Sequence, residues 1–231
     1  MAILRVENLN VVFDGFSAIE NLSFEVEEGE TLAIIGPNGS GKTTLFRTLL
    51  NVIPFKGLVE WDKKTRIGYV PQKIDIDRQL PMTVNDFLLA KASVNNLKPE
   101  SIKAICAAVK LPDSLLQKNI GQISSGQFQR TMIAFALLGD PNVLLFDEPT
   151  ASVDIAGEEE IYETLHRLQD QRNLTLILIS HDLHLIYRHA TKVLCLNKKM
   201  ICFGEPMTTL TPKNLAKIYG HHPALFHHIH P

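Results

Sequence analysis

Two periodicities divide the chain. Ile3 to Leu9 and Leu22 to Val26 alternate apolar and polar residues, the pattern of half-buried strands. Thr31 to Ile35 is a short apolar run with no polar interruption, which predicts a strand buried on both faces. A glycine-rich loop follows, and Thr43 to Asn51 reads as a helix that Pro54 and Gly57 terminate. Arg66 to Val70 reads as another strand. From about Pro81 the period changes, and Thr83–Ala92, Pro99–Lys110 and Gly126–Leu138 read as helices. Val143–Phe146 and Leu174–Ile179 are again strand-length apolar runs. Glu158–Gln169 and Asp182–His189 are helical between and after them, and Val193–Leu196 is a last strand.

Strands alternating with helices predict a largely parallel, helix-covered sheet. The expected fold class is therefore α/β, of the P-loop NTPase type, with an antiparallel β portion at the N-terminus and an inserted helical lobe. The expected division is one domain over residues 1–231: an α/β core at about 1–79 and 141–220, a helical lobe at about 80–140, and a histidine-rich tail at 221–231.

Composition narrows the function classes. The chain has 231 residues, 45% of them hydrophobic and 21% charged, the balance of a folded globular protein. Its net charge of −2 lacks the basic excess of a general nucleic-acid binder, so no nucleic-acid partner is expected. No apolar run approaches the ~18 residues of a membrane span, and the start MAILRVENLNVVF lacks a secretory pattern. The expectation is a cytosolic protein, or one docked on a membrane from its cytosolic face. Cys106, Cys195 and Cys202 form no CxxC pair and are expected to be reduced, packed as small hydrophobes.

The chemistry concentrates in a few segments. Gly36-Pro37-Asn38-Gly39-Ser40-Gly41-Lys42-Thr43, followed by Thr44, fits G-x-x-x-x-G-K-[ST] between a buried strand and a helix. Glycines let backbone N–H groups surround phosphate oxygens, and the helix start turns its positive end to the same anion. Lys42 adds a charge for the β- and γ-phosphates, and the Thr43 hydroxyl suits Mg²⁺. The apolar strand Val143–Phe146 ends in Asp147-Glu148. Asp147 fits a Mg²⁺-shell carboxylate, and Glu148 fits the group that orients or deprotonates an attacking water. The plainer alternative is a helix N-cap. Ser180-His181-Asp182 is no hydrolase triad, because consecutive side chains cannot converge on one another.

These residues together resemble the ATP-binding cassette (ABC) family over nearly the whole chain. Tyr69-Val70-Pro71-Gln72 resembles the Q-loop, which implies that Gln72 bridges metal and attacking water. Ile123-Ser124-Ser125-Gly126-Gln127 resembles the family signature, with Gln129-Arg130 after it. Ala151-Ser152-Val153-Asp154 resembles the D-loop, His181 the switch histidine, and Phe13 the aromatic that stacks on adenine, with Phe16 as second candidate. The resemblance implies ATP and Mg²⁺ as ligands and a homodimer with ATP at its interface. Ser124, Ser125, Gly126, Gln127 and Asp154 would then meet the nucleotide held by the opposite subunit. Catalytic roles fall to Glu148, His181, Gln72 and Lys42. Thr43, Gln72 and Asp147 form the Mg²⁺ set.

Two departures stand out: Ser125 occupies the place of the signature's first glycine, and Ile123 replaces leucine. Ser125 is expected to restrict backbone freedom there and to weaken dimer closure; the alternative is that its hydroxyl donates to phosphate and makes serine a working substitute.

The Arg66–Lys73, Leu80–Val84, Ser180–Leu185 and Val193–Asn197 stretches resemble the ATPases of zinc and manganese importers. That implies integral membrane permease subunits and a solute-binding protein as partners, on the cytoplasmic face of the membrane. The Ile74–Val84 segment is expected to help line the groove for a permease helix, or else to be ordinary core. An importer ATPase for an iron chelate or a vitamin, and a soluble ABC protein without a transport role, remain the alternatives. Five of the nine histidines, His221, His222, His227, His228 and His230, fall in the last eleven residues. Such a tract is either a zinc-binding tail or a solvated one.

Overall fold

The computed structural model describes residues 1–13, 15–72, 81–148 and 155–220. In chain order the strands are β1 (Ala2–Phe13), β2 (Phe16–Glu27), β3 (Thr31–Ile35), β4 (Lys56–Trp61), β5 (Ile67–Val70), β6 (Val143–Asp147), β7 (Thr175–Ile179), β8 (Lys192–Asn197) and β9 (Lys199–Gly204). The helices are α1 (Lys42–Leu49), α2 (Val84–Val94), α3 (Pro99–Ala108), α4 (Ser125–Leu137), α5 (Ile155–Arg172), α6 (Leu183–His189), α7 (Pro206–Thr209) and α8 (Pro212–Tyr219). The chain forms two compact units: Met1–Asp62 with the chain from Ile179 onward, and Lys63–Leu178. Among the described residues no helix is long and apolar enough to cross a membrane.

The first unit carries the expected antiparallel portion. β1 lies between β2 and β4 and runs antiparallel to both. Its inward positions Leu4, Val6 and Leu9 and the Leu22, Phe24 and Val26 side of β2 are buried, as the alternating pattern requires. Each fully buried leucine or valine there contributes roughly 1.5–3 kcal/mol relative to exposure. β3 is buried at all five positions and pairs in parallel with β8, from Leu32↔Lys192 to Ile35↔Cys195. β9 folds back antiparallel on β8. The Trp61 indole N–H donates to the Leu49 carbonyl (2.9 Å), satisfying an orphan acceptor at the end of α1. Neither β4 nor β9 is legible in the sequence. Gly57 has φ +106° inside β4, and Lys198 turns the β8–β9 hairpin at φ +60°, so both interrupt the pattern.

Cysteine pairing departs from expectation. Cys195 and Cys202 are directly opposed in the β8–β9 ladder and form a disulfide, their Cα atoms 4.9 Å apart. Cross-strand opposition delivers that spacing without a sequence motif, which is why counting cysteines could not foresee the bond. Cys106 is buried and free.

In the second unit β5 and β6 are parallel, from Ile67↔Val143 to Val70↔Phe146, with β7 on the far side of β6. The helices between β5 and β6 begin at residues chosen for the purpose. Thr83 and Asp86 close a capping box on α2. Pro99 starts α3, where its missing N–H costs nothing. Phe87 of α2 stacks on Phe135 of α4, ring centroids 4.5 Å apart.

Candidate ATP-binding site

The phosphate loop is built wholly within the first unit. β3 delivers the chain into it at Gly36, and the loop runs to Gly41, which starts α1 with φ +102°. Two glycines are fixed by close approach. A Cβ on Gly36 would lie 2.0 Å from the Leu196 carbonyl oxygen, and one on Gly41 would lie 2.7 Å from that of Ala18. Neither β8 nor β2 leaves room for a side chain. The Lys198 N–H donates to the Ser40 carbonyl at 2.8 Å, holding the far side of the loop.

The loop is suited to an anion. No acidic residue sits in the first turn of α1, so the positive end of the helix is not neutralised locally. The Ser40 hydroxyl is buried with no hydrogen-bond partner among the described residues. Asn38, Gly39 and Thr43 are exposed, while Pro37 and Thr44 are half-buried. Lys42 is buried, and its ammonium donates to the carbonyls of Gly36 (2.8 Å) and Pro37 (3.2 Å).

In the same unit Phe13 and Phe16 face each other at the turn end of the β1–β2 hairpin. They are 42% and 79% exposed, and Phe16 therefore offers more free ring surface. His181 lies exposed between β7 and α6. Asp182 caps α6, accepting from the His184 N–H at 2.7 Å, so it is engaged in helix structure.

The second unit holds a separate constellation. In the parallel pair of β5 with β6, Val70 is opposite Phe146. Two residues beyond each lie Gln72 and Glu148, and the Gln72 amide N–H donates to the Glu148 carboxylate. Sheet register thus joins two side chains 76 positions apart in sequence. Asp147 closes β6 and is buried, whereas Gln72 is exposed. Glu148 adopts φ +45°, an uncommon conformation for a non-glycine residue.

The signature segment opens α4. Ser124 is the N-cap, with its hydroxyl accepting from the Gln127 N–H (3.3 Å) and the Gln127 side chain accepting from the Ser124 N–H (3.0 Å). Ser125 is the first helical residue, outside the left-handed region. The expected penalty for replacing glycine is therefore absent in this conformation, since a helical φ suits serine. Arg130, which follows the signature, is braced by Glu160 of α5 and by the Val109 carbonyl. Ala151–Asp154, the Ile74–Leu80 part of the segment expected to line a permease groove, and the tail at 221–231 lie outside the described residues.

The ABC transporter family model matches residues 19–151, more than half of the chain. This chain belongs to the ABC transporter family. It is accordingly an ATP-binding protein and an ATPase of the cassette type. Among its relatives is the zinc import ATP-binding protein ZnuC of Haemophilus influenzae, 36% identical over 219 residues, with 94% of this chain and 80% of the relative covered. ZnuC of Pseudomonas savastanoi pv. phaseolicola is 37% identical over 233 residues, covering 99% and 86%. Among solved structures, cbiO1 of Clostridium perfringens, part of the ABC transporter complex cbiONQ, aligns with a TM-score of 0.79 at 30% identity, covering 94% and 93%.

The fold class expected from sequence holds, with an antiparallel three-stranded sheet and a parallel-rich arrangement of the remaining strands. The contacts at Leu196, Lys198 and Glu160 were not foreseeable. Two act through main-chain atoms, which carry no residue signature, and the third depends on helix packing.

Proposed function

We propose that this ABC ATPase energises import of a divalent metal ion, zinc foremost, through separate membrane permease subunits. The zinc-import relatives, aligned over nearly the full chain, carry the choice of cargo. The Gln72–Glu148 pair supports the hydrolytic role.

In this reading the amides of Gly36–Thr43 surround the triphosphate. Lys42 leaves the Gly36 and Pro37 carbonyls for the β- and γ-phosphates. The buried Ser40 hydroxyl gains a phosphate oxygen as partner, and Thr44 extends the same helix start. Phe13 stacks on adenine at the hairpin tip, with Phe16 as its neighbour. Thr43, Gln72 and Asp147 each present oxygen, the donor a hard cation takes, and would hold Mg²⁺. When bound, that ion neutralises charge on the β- and γ-oxygens. Glu148 takes a proton from the attacking water as its oxygen bonds to the γ-phosphorus and the bond to the β-bridging oxygen breaks. Gln72 orients that water, and His181 hydrogen-bonds a γ-phosphate oxygen.

Two copies pair head to tail around ATP, the N-terminus of α4 at Ser124–Gln127 meeting the γ-phosphate of the partner. The D-loop residue Asp154 joins that interface by resemblance to the family. Docking on the permease places the protein at the cytoplasmic face of the membrane, and a solute-binding protein completes the system.

The test is cargo uptake. Cells lacking this gene are expected to lose uptake of radioactive zinc, restored by the gene and not by its Lys42→Ala version. Normal zinc uptake with a deficit for an iron chelate or a vitamin would assign the cargo elsewhere.

A further inference from the structure

His181 stands between two residues that hold its backbone, all within the first unit. Before it, the Ser180 N–H donates to the Ile34 carbonyl of β3 at 3.3 Å, two residues ahead of Gly36. The approach to His181 is thereby tied to the strand that feeds the phosphate loop. Ser180 is buried, and its hydroxyl accepts from the Asp182 N–H at 3.1 Å. That N–H belongs to the peptide joining His181 to Asp182, so the bond spans the histidine and limits rotation of its backbone. After it, one carboxylate oxygen of Asp182 accepts from the N–H groups of His184 (2.7 Å) and Leu185 (3.3 Å). These bonds fasten the chain after His181 to the first turn of α6. That helix is itself fixed, since Leu185 and Ile186 are buried and the Tyr187 hydroxyl donates to the Leu210 carbonyl at 3.1 Å. His181 is exposed between these clamps.

We propose that Asp182, with Ser180, is a positioning residue for His181, aiming the imidazole at the γ-phosphate of ATP. The proposal rests on the assignment of His181 to that phosphate. An exposed side chain has few packing contacts to set its direction, so a fixed backbone must supply the precision that a hydrogen bond to a reacting group demands. Here the main chain is held on both sides of one residue, by a buried hydroxyl and by a carboxylate engaged with two amides. The Asp182 carboxylate would repel a triphosphate, which leaves it a part in holding the histidine rather than in touching the nucleotide.

The experiment measures single-turnover hydrolysis of Mg·ATP, the Kd for ATP and Tm on the full chain. Asp182→Ala is expected to slow hydrolysis about tenfold with Kd near parental, a fraction of the ~10²-fold that an ångström of misplacement can cost. Asp182→Asn keeps an oxygen for the helix N–H groups and is expected to restore the rate. Thr211→Ala is the control, because it removes the cap of α8 in the same unit and is expected to lower Tm without slowing hydrolysis. A double variant shows whether Asp182 acts through the histidine. In a His181→Ala background, Asp182→Ala is expected to add no further loss, since the group it aims is gone. Ser180→Ala, which leaves the cap of α6 in place, carries the same test if Asp182→Ala fails to fold. A parental rate in Asp182→Ala would overturn the proposal, as would a rate in Asp182→Asn as low as in Asp182→Ala. So would an equal loss in Thr211→Ala, or a full further loss in the His181→Ala background, since the effect would then belong to stability. A parental rate in His181→Ala would instead sink the assignment of His181 to the phosphate, and the proposal with it.

Discussion

The amide of Gln72 donates a hydrogen bond to the carboxylate of Glu148, and both side chains stand two residues past the paired Val70 and Phe146. Parallel register makes this contact a consequence of the sheet rather than of either loop. It places the proposed base beside a group able to hold it or the attacking water. Glu148→Gln keeps the shape and removes the negative charge. Hydrolysis is expected to fall roughly 10²–10⁴-fold, the range for loss of a positioned general base. ATP binding is expected to persist, so a dimer accumulates on size-exclusion chromatography with Mg·ATP. Full ATPase activity in this variant would remove Glu148 from the mechanism.

Replacing Gln72 with Ala tests the other partner. Its loss takes the amide away from the Glu148 carboxylate and from the proposed water site together. The expectation is a fall in kcat with ATP affinity largely kept, read from steady-state kinetics beside nucleotide titration. An unchanged kcat would show that the contact has no part in turnover.

Ser125→Gly is now expected to bring no gain. Ser125 already lies in helical conformation at the start of α4, where glycine is less favourable by roughly 0.5–1 kcal/mol in a helix interior and by less at its first position. ATP-dependent dimerisation by light scattering should stay level or weaken. Stronger dimerisation in the glycine variant would mean that the bound state needs a backbone conformation serine resists.

Cys106 ties stability to alkaline pH. Burial, with Asp113 adding a smaller contribution, raises its thiol from 9.0 to about 11. A raised folded value means the contribution is fully present below pH 9 and is lost as pH climbs through about 11, because the unfolded chain ionises first. Denaturant midpoints should fall across that window, and Cys106→Ala should flatten this part of the slope. In unreduced, denatured protein, alkylation followed by mass spectrometry should modify Cys106 alone, since Cys195 and Cys202 are bonded to each other. Three modified cysteines would contradict the pairing.

Much of this protein is written locally. The apolar run Thr31–Ile35, the glycines and Lys42 after it, and the run Val143–Phe146 closing on Asp147-Glu148 declare buried strands that end in phosphate and carboxylate chemistry. They are legible because a fully buried strand needs unbroken hydrophobicity, and a phosphate-binding turn needs residues without side chains. Thr83, Pro99 and Ser124 announce helix starts for the same reason, as each satisfies or removes an orphan N–H within three residues.

Tertiary structure alone decided the pairings. Which carboxylate meets Gln72, which carbonyl excludes a side chain at Gly36 and which cysteine lies opposite Cys195 are all settled by strand register. All but the cysteine pair join residues far apart in sequence, and the contact at Gly36 is made by a main-chain atom, which every residue shares. A one-residue change of register would undo them while leaving each local pattern intact.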